Sequence, residues 1–249
     1  MTDTESTRFQ DFYRKEASIY HGRRYETRYG RLFRELHHSL LSEMLQDVPA
    51  THPALEIACG TGHTSSLLAR EGISFIACDL TPHMLAEARD RMERADHPTS
   101  FLYTDAQALP FPDATFNLVV TTRFLHLFPA AEQRIVLSEA ARVLKPGGSL
   151  IVDFDNWTSR WIFSLPLLVY NLLRYRRAAP YSIYNRIGVT RRMLDEVGIS
   201  PESVQGIGGP HLIVLDWIFH SLALRIGDMH RCLPLRVLAE QFMVLGKRR

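Results

Sequence analysis

The residues that could bind a ligand lie in two short segments separated by about one helix length. Gly60 and Gly62 follow Glu56-Ile57-Ala58-Cys59, and Asp79 comes 17 residues after Gly62. Glycine lets the backbone turn tightly and lets a ligand approach without meeting a Cβ atom, and a helix beginning there presents free amide N–H groups. An acidic side chain at the end of the next strand can accept hydrogen bonds from both hydroxyls of a ribose. The spacing predicts a nucleoside-containing ligand, whereas the glycine pair alone would equally fit a structural turn.

Two classes of nucleoside cofactor compete for this pattern. A dinucleotide site requires Gly-x-Gly-x-x-Gly, and Ser65 occupies the third glycine position. A nicotinamide-dependent oxidoreductase is therefore disfavoured, although it stays an alternative.

From residue 54 onward, short apolar runs alternate with helix-like segments, with Thr81 placed to cap one of the helices. This alternation predicts an α/β fold with a parallel sheet and helices on both faces. The predicted strands are Ala54–Ala58, Ser74–Cys78, Ser100–Tyr103, Phe116–Thr121, Ser149–Asp153, Glu202–Ile207 and Gln241–Leu245. The later predicted helices are Ala131–Leu144, Thr190–Val197 and a helical excursion over Leu212–Ile226.

The flanking segments divide the chain into three regions. Residues 1–50 carry apolar side chains at helical spacing and predict an N-terminal helical cap. Residues 51–155 and 186–249 form the predicted sheet domain. Residues 156–185, which are aromatic, arginine-rich and interrupted by prolines, predict a lid inserted after strand five. The aromatic side chains of the lid suit an apolar acceptor site, a plain hydrophobic core or a membrane-surface helix.

Four segments in this order carry a family resemblance: LEIACGTG (55–62), ACDLTPHMLAEAR (77–89), YTDAQALPFPDATFNLVV (103–120) and RVLKPGGSLIV (142–152). Together they resemble the motifs of class I S-adenosylmethionine-dependent methyltransferases, in the family's order and spacing. They look most like the subgroup of quinone-biosynthesis and small-molecule methyltransferases. The resemblance implies a Rossmann-like fold with a seven-stranded, mostly parallel sheet and S-adenosylmethionine as cofactor.

The resemblance also assigns cofactor contacts, position by position. The residues that it places along the methionine and ribose portion are Glu56, Ala58, Gly60, Gly62 and, at the ribose diol, Asp79. Those that it places around the adenine are Leu80, Met84, Asp105 and the backbone amide of Ala106. Those that it places at the methionine end are Thr121 and Thr122. It also makes Tyr20 an N-terminal aromatic residue that folds over the cofactor. For Asp79 and Asp105 cofactor contact is favoured over the alternative of a helix cap, whereas Tyr20 would equally pack into the core.

The acceptor side of the site is less well marked. His126 follows strand four, where a neutral histidine could take a proton near pH 7, but the family often has a histidine here whatever its substrate. A structural role is therefore the favoured alternative. Asp153, Asp155 and Asn156 follow strand five, as in metal-dependent catechol methyltransferases. Because strand four ends without a carboxylate, an octahedral metal would lack a ligand and no metal is predicted.

Composition limits the partners. The chain has 249 residues, a net charge of +2 and 46% hydrophobic residues, so it lacks the basic excess typical of nucleic-acid binding. Its three cysteines have no CxxC spacing and predict no zinc site. The most apolar stretch, Trp161–Leu173, is too short to cross a bilayer, and a cytoplasmic location is predicted.

The sequence thus predicts a methyltransferase acting on O, N or C of a small apolar or aromatic molecule. The runner-up is a polyprenyl quinone or membrane-lipid methyltransferase with peripheral membrane contact. A third interpretation is a cofactor-binding protein without transfer activity.

Overall fold

A computed structural model describes residues 26–48, 53–159, 183–209, 212–231 and 235–249. Helices and strands alternate in it as predicted. The strands are β1 (Ala54–Ile57), β2 (Phe75–Asp79), β3 (Ser100–Tyr103), β4 (Phe116–Thr121), β5 (Leu144–Asn156), β6 (Tyr184–Asn185), β7 (Ile199–Ile207) and β8 (Gln241–Arg248). The helices are α1 (Arg28–Gln46), α2 (His63–Arg70), α3 (Pro82–Arg94), α4 (Ala130–Val143), α5 (Ile187–Glu196), α6 (Leu212–Ile218) and α7 (His220–Met229), with 3-10 turns at Leu125–Leu127 and Leu235–Leu238.

The strands form one sheet in the order β3-β2-β1-β4-β5-β8-β7. Strands β1 to β5 run parallel, and β8 is antiparallel to both β5 and β7. The two-residue strand β6 adds a short parallel pairing with β5, so within the described residues the sheet has eight strands where seven were predicted. The strand order reverses between β1 and β4, and such a switch point opens a crevice at the carboxyl ends of the strands.

Each face of this sheet is covered by helices. On one face α1, α2 and α3 pack against a core that includes Val120 and Ile151. On the other, α4 and α5 pack against a core that includes Val119 and Val152. Because consecutive strand residues point to opposite faces, each inner strand needs apolar residues at nearly every position, which explains the continuous apolar runs in the sequence.

Helix α1 lies within the predicted cap. Its N-cap residue Thr27 accepts a hydrogen bond from the Gly30 amide at 3.0 Å. Leu32, Leu36 and Leu40 recur at helical spacing and are buried against the sheet. Residues 1–25, which include Tyr20, lie outside the described residues, as do residues 160–182 of the predicted lid.

Three local predictions need correction. Strand β5 begins at Leu144 rather than Ser149, because Leu144 already pairs with Phe116 of β4. The next pair is Leu118 with Ser149, so a register shift accommodates the turn at residues 145–148 within β5. Thr81 occupies the N-cap position but makes no side-chain capping bond, and the helix begins with proline, which has no N–H to satisfy. The helical excursion after β7 is two helices, interrupted at Phe219, whose backbone is not helical. Within the described residues, no helix is long and apolar enough to span a bilayer.

Candidate functional site

The glycine turn after β1 places two glycines in different surroundings. Both have positive φ, +53° at Gly60 and +76° at Gly62, and Ala58 before them has φ of 56°. A Cβ atom on Gly62 would lie 3.1 Å from both Cα and Cβ of Ala88, so this glycine lets α3 approach the turn closely. A Cβ atom on Gly60 would meet nothing within 4 Å. Gly62 therefore serves packing, whereas the space beside Gly60 is open to a ligand.

Asp79 connects the ends of β1 and β2. The Gly60 amide donates to its Oδ2 at 2.9 Å, and the Thr81 amide donates to its Oδ1 at 2.8 Å. A carboxylate offers about four lone-pair positions, so both oxygens retain capacity to accept a further hydrogen bond. Burial raises the pKa of Asp79, and the two backbone N–H groups oppose this rise. The local turn role and the diol role are thus compatible in one side chain.

Glu56 is buried in β1 beside this turn. The Ser65 hydroxyl donates to its Oε2 at 2.5 Å. Burial raises the pKa of Glu56 to about 8, with the Ser65 bond opposing and the charge of Asp79 adding to the rise. Ser65 was noted in the sequence only because it breaks the dinucleotide pattern. Its contact with Glu56 gives it a positioning role that the motif did not reveal.

The residues assigned to the adenine lie at the ends of β2 and β3. Leu80 is half-buried, and Met84 and Ala106 are buried. Asp105 is exposed and accepts the Gln107 amide at 2.9 Å, which is a turn-stabilising contact. Among the described residues no helix follows Asp105 before β4, so it stabilises a turn rather than capping a helix. Its adenine contact stays a prediction.

The residues assigned to the methionine end close β4, which pairs directly with β1. The Thr122 hydroxyl lies 2.8 Å from that of Thr64, so it joins β4 to the first turn of α2. Thr121 is buried, and within the described part of the chain its Oγ1 has no hydrogen-bond partner. These two threonines thus lie next to the glycine turn.

His126 lies buried in the 3-10 turn after β4. Its carbonyl oxygen accepts the Ile183 amide at 2.7 Å. The turn is held by buried Gln133, whose Nε2 donates to the carbonyl oxygens of Leu125 and Phe128 at 2.9 and 3.0 Å. The side-chain Nδ2 of Asn185 donates to Gln133 Oε1 at 2.9 Å. The sequence did not reveal this amide pair, because the two residues are far apart in the chain and belong to no motif.

Asp153, Asp155 and Asn156 lie within β5, which extends to Asn156, rather than after it as predicted. Asp155 and Asn156 bond to protein groups. Asp155 Oδ1 accepts a hydrogen bond from the side-chain Nε2 of Gln241 at 2.6 Å. Asn156 Nδ2 donates to the carbonyl oxygens of Arg236 and Ala239 at 3.2 and 3.0 Å. Among the residues that the structure describes, no group of three or more His, Cys, Asp or Glu side chains is arranged to hold a metal ion.

The described site residues therefore meet at one edge of the sheet. Glu56, Gly60, Gly62, Asp79 and Thr122 lie around the switch point, with Asp105 after β3 on one side and His126 after β4 on the other. A crevice between these strand ends is where open α/β sheets bind ligands.

Comparisons with known proteins agree with this arrangement. Residues 54–148 match a family model described as a methyltransferase domain. The chain is 30% identical over 166 residues to an uncharacterized methyltransferase of Synechocystis sp., a match covering 67% of this chain and 74% of the relative. It is 32% identical over 164 residues to a demethylmenaquinone methyltransferase of Thermus thermophilus, covering 64% and 69% of the two chains.

Solved structures share the fold. One is the magnesium protoporphyrin IX methyltransferase of Synechocystis with bound S-adenosylhomocysteine (SAH). It superimposes with a TM-score of 0.69 at 15% identity, and the match covers 98% of this chain and 100% of that one. The structural likeness establishes the architecture, and the sequence relatives establish descent. The chain belongs to the class I S-adenosylmethionine-dependent methyltransferase family.

Proposed function

We propose that this protein transfers a methyl group from S-adenosylmethionine to O, N or C of a small apolar or aromatic molecule. The observation that carries the proposal is the hydrogen bond from Gly60 to Asp79, 2.9 Å long. It sets a carboxylate with remaining acceptor capacity beside an open glycine at the carboxyl ends of β1 and β2. A ribose diol needs this combination, since both hydroxyls must donate while the backbone stays out of the way.

The surrounding residues fit the rest of the cofactor. Half-buried Leu80 offers apolar surface for an adenine ring beyond Asp79, and Met84 is buried in the first turn of α3. Thr121 and Thr122 would lie at the methionine end. When bound there, S-adenosylmethionine supplies a methyl group carried on a positively charged sulfur.

The contributions of the chain itself are positioning and charge. Holding the acceptor in line with the methyl group can supply much of the rate acceleration. Glu56, whose pKa is raised to about 8 by burial, would ionise more readily next to a cation, because an opposite charge favours the charged form. Where the acceptor must lose a proton, His126 is the proposed base.

Calorimetric titration of S-adenosylhomocysteine (SAH) into the full chain tests the proposal, with reduced nicotinamide dinucleotide as the competing ligand. We expect SAH to bind and the dinucleotide not to bind. The proposal fails if neither S-adenosylmethionine nor SAH binds, and dinucleotide binding would favour the oxidoreductase alternative.

A second candidate is a lipid-soluble acceptor such as a quinone, reached at a membrane surface. Its specific support is an exposed apolar patch on α6 and α7, and one relative acts on a demethylmenaquinone. The patch consists of Trp217, Ile218, Phe219, Leu222 and Met229, whose exposed fractions are 74%, 65%, 59%, 41% and 55%. Exposed apolar side chains clustered on neighbouring helices favour an interaction site, and aromatic side chains suit the interface of a bilayer.

Cosedimentation with phosphatidylcholine–phosphatidylglycerol vesicles tests this candidate. We expect binding that Trp217→Ser combined with Phe219→Ser abolishes. Tyr103→Ser is the matched control, because Tyr103 is 56% exposed but lies on β3 at the far edge of the sheet. Absence of vesicle binding by the wild type would reject the candidate.

A further inference from the structure

Asp153, three residues before the end of β5, holds the segment that follows β4. Its Oδ1 accepts the Arg123 amide at 2.7 Å. The register explains this contact, since Thr121 pairs with Val152 and the next residues of both strands therefore lie side by side. The bond fixes the backbone between Thr122 and the turn that carries His126.

The backbone at Arg123 requires such support. Its φ is +56°, a left-handed conformation that residues with a Cβ atom rarely adopt. Conformations of this kind persist only where the surroundings over-determine them, and they cluster at functional sites. At this position the strain falls directly after the two threonines assigned to the methionine end.

Helix α1 contacts the same arrangement from the other side. His37 Nε2 lies 3.5 Å from Asp153 Oδ2, and their side chains are 3% and 2% exposed. The Arg123 guanidinium lies over the Phe33 ring, 5.1 Å from its centroid. Two neighbouring turns of α1 thus contact both members of the Asp153–Arg123 pair.

We infer that Asp153 is a positioning residue for methyl transfer: with His37 and Phe33 of α1, it holds the strained backbone at Arg123 and so sets the segment 121–126 against the cofactor. The inference rests on the proposed function, because it assigns this segment to the methionine end of S-adenosylmethionine.

The test compares Asp153→Ala with Asp155→Ala. The two aspartates are two residues apart on β5 and both accept a hydrogen bond through Oδ1, but Asp155 bonds to Gln241 on β8. SAH affinity is measured by calorimetry, and backbone hydrogen exchange of the peptide 121–128 is measured without ligand. The Asp153→Ser and Asp155→Ser pair repeats the comparison if an alanine variant does not fold. Asp153→Asn serves as the rescue variant, since its carbonyl oxygen can still accept from Arg123.

We expect Asp153→Ala to weaken SAH binding about tenfold, because the backbone at Arg123 loses the hydrogen bond that holds it. It should also speed exchange in 121–128, whereas Asp153→Asn and Asp155→Ala stay close to the wild type in both measurements. Equal effects of the two alanine variants would overturn the inference, because the loss would then reflect general destabilisation of β5. Failure of the wild type to bind SAH would instead reject the proposed function, and the exchange comparison would still test the positioning.

Discussion

The amide of Gly60 and the carboxylate of Asp79 are joined by a hydrogen bond of 2.9 Å, so the turn after β1 and the end of β2 form one unit. A glycine turn and an acidic residue read separately from the sequence each have an ordinary structural explanation. Their direct contact places the two features side by side, so both would border a ligand bound at either one.

Replacing Asp79 with alanine should lower the affinity for SAH by about 1–3 kcal/mol, because the hydrogen bonds to the ribose are lost. Asp79→Asn keeps one acceptor oxygen, so its affinity for SAH should lie between those of Asp79→Ala and the wild type. Asp90→Ala is the control, since Asp90 is an exposed acidic residue on α3 whose loss changes the net charge equally. Calorimetry is the measurement, and an Asp79→Ala protein that binds as tightly as the wild type would exclude the diol contact.

Gly62→Ala should lower the free energy of unfolding by more than Gly72→Ala does. Both glycines have similar positive φ, +76° and +71°, and so share a backbone cost of about 1 kcal/mol or more. Only the new Cβ at position 62 meets Ala88, at 3.1 Å. Urea denaturation measures the difference, and equal losses in the two variants would show that the close approach of α3 is unimportant.

The free energy of unfolding of Glu56→Gln should rise relative to that of the wild type as the pH increases from 5 to 8. Burial raises the pKa of Glu56 from 4.5 to about 8, so between these values the folded state holds a proton that the unfolded state has released. Stability from this group therefore falls with rising pH, by an amount on the order of a few kcal/mol. The gain in the variant should level off above pH 8.

Urea denaturation at pH 5, 6.5 and 8 measures this effect. Glu93→Gln is the control, because Glu93 is exposed on α3. A difference between Glu56→Gln and the wild type that does not change with pH would show that Glu56 does not titrate in this range.

His38→Phe should make the protein more resistant to acid. His38 stacks on His63 with ring centroids 4.4 Å apart, and burial, followed by nearby positive charges, lowers the pKa of His38 to about 3 and also lowers that of His63. A depressed histidine pKa gives stability that is present above about pH 6.5 and is lost as the pH falls toward 3. Phenylalanine keeps the ring contact and removes one of these titrations.

Thermal unfolding between pH 7 and pH 4 measures the acid sensitivity, with the exposed residue His83→Phe as control. An unchanged dependence of the melting temperature on pH in His38→Phe would contradict the lowered pKa of His38.

The sequence predicted the α/β alternation, and the limits of β3 and β4 agree with the structure to the residue, because apolar runs flanked by turn residues are local signals. The interruption at Phe219 was missed, since apolar spacing continues through it. The predicted domain limits, the cofactor contact of Tyr20 and the catalytic role of His126 stay predictions.

Side-chain pairs that are distant in the chain could not be predicted. Gln133 with Asn185 and His37 with Asp153 have no shared periodicity or motif. Such contacts arise only when the sheet order brings separate segments together, so they follow from topology rather than from local pattern.

Three side chains of helix α1 contact three other elements. His38 stacks on His63 of α2, His37 lies beside Asp153 of β5, and Phe33 lies under Arg123, which follows β4. A ligand that favours one arrangement of these three contacts also favours the docked position of α1. Thermodynamic linkage is reciprocal: whatever secures α1 strengthens ligand binding, and ligand binding secures α1 by the same free energy. The helix is therefore a place from which a change outside the crevice can tune affinity within it.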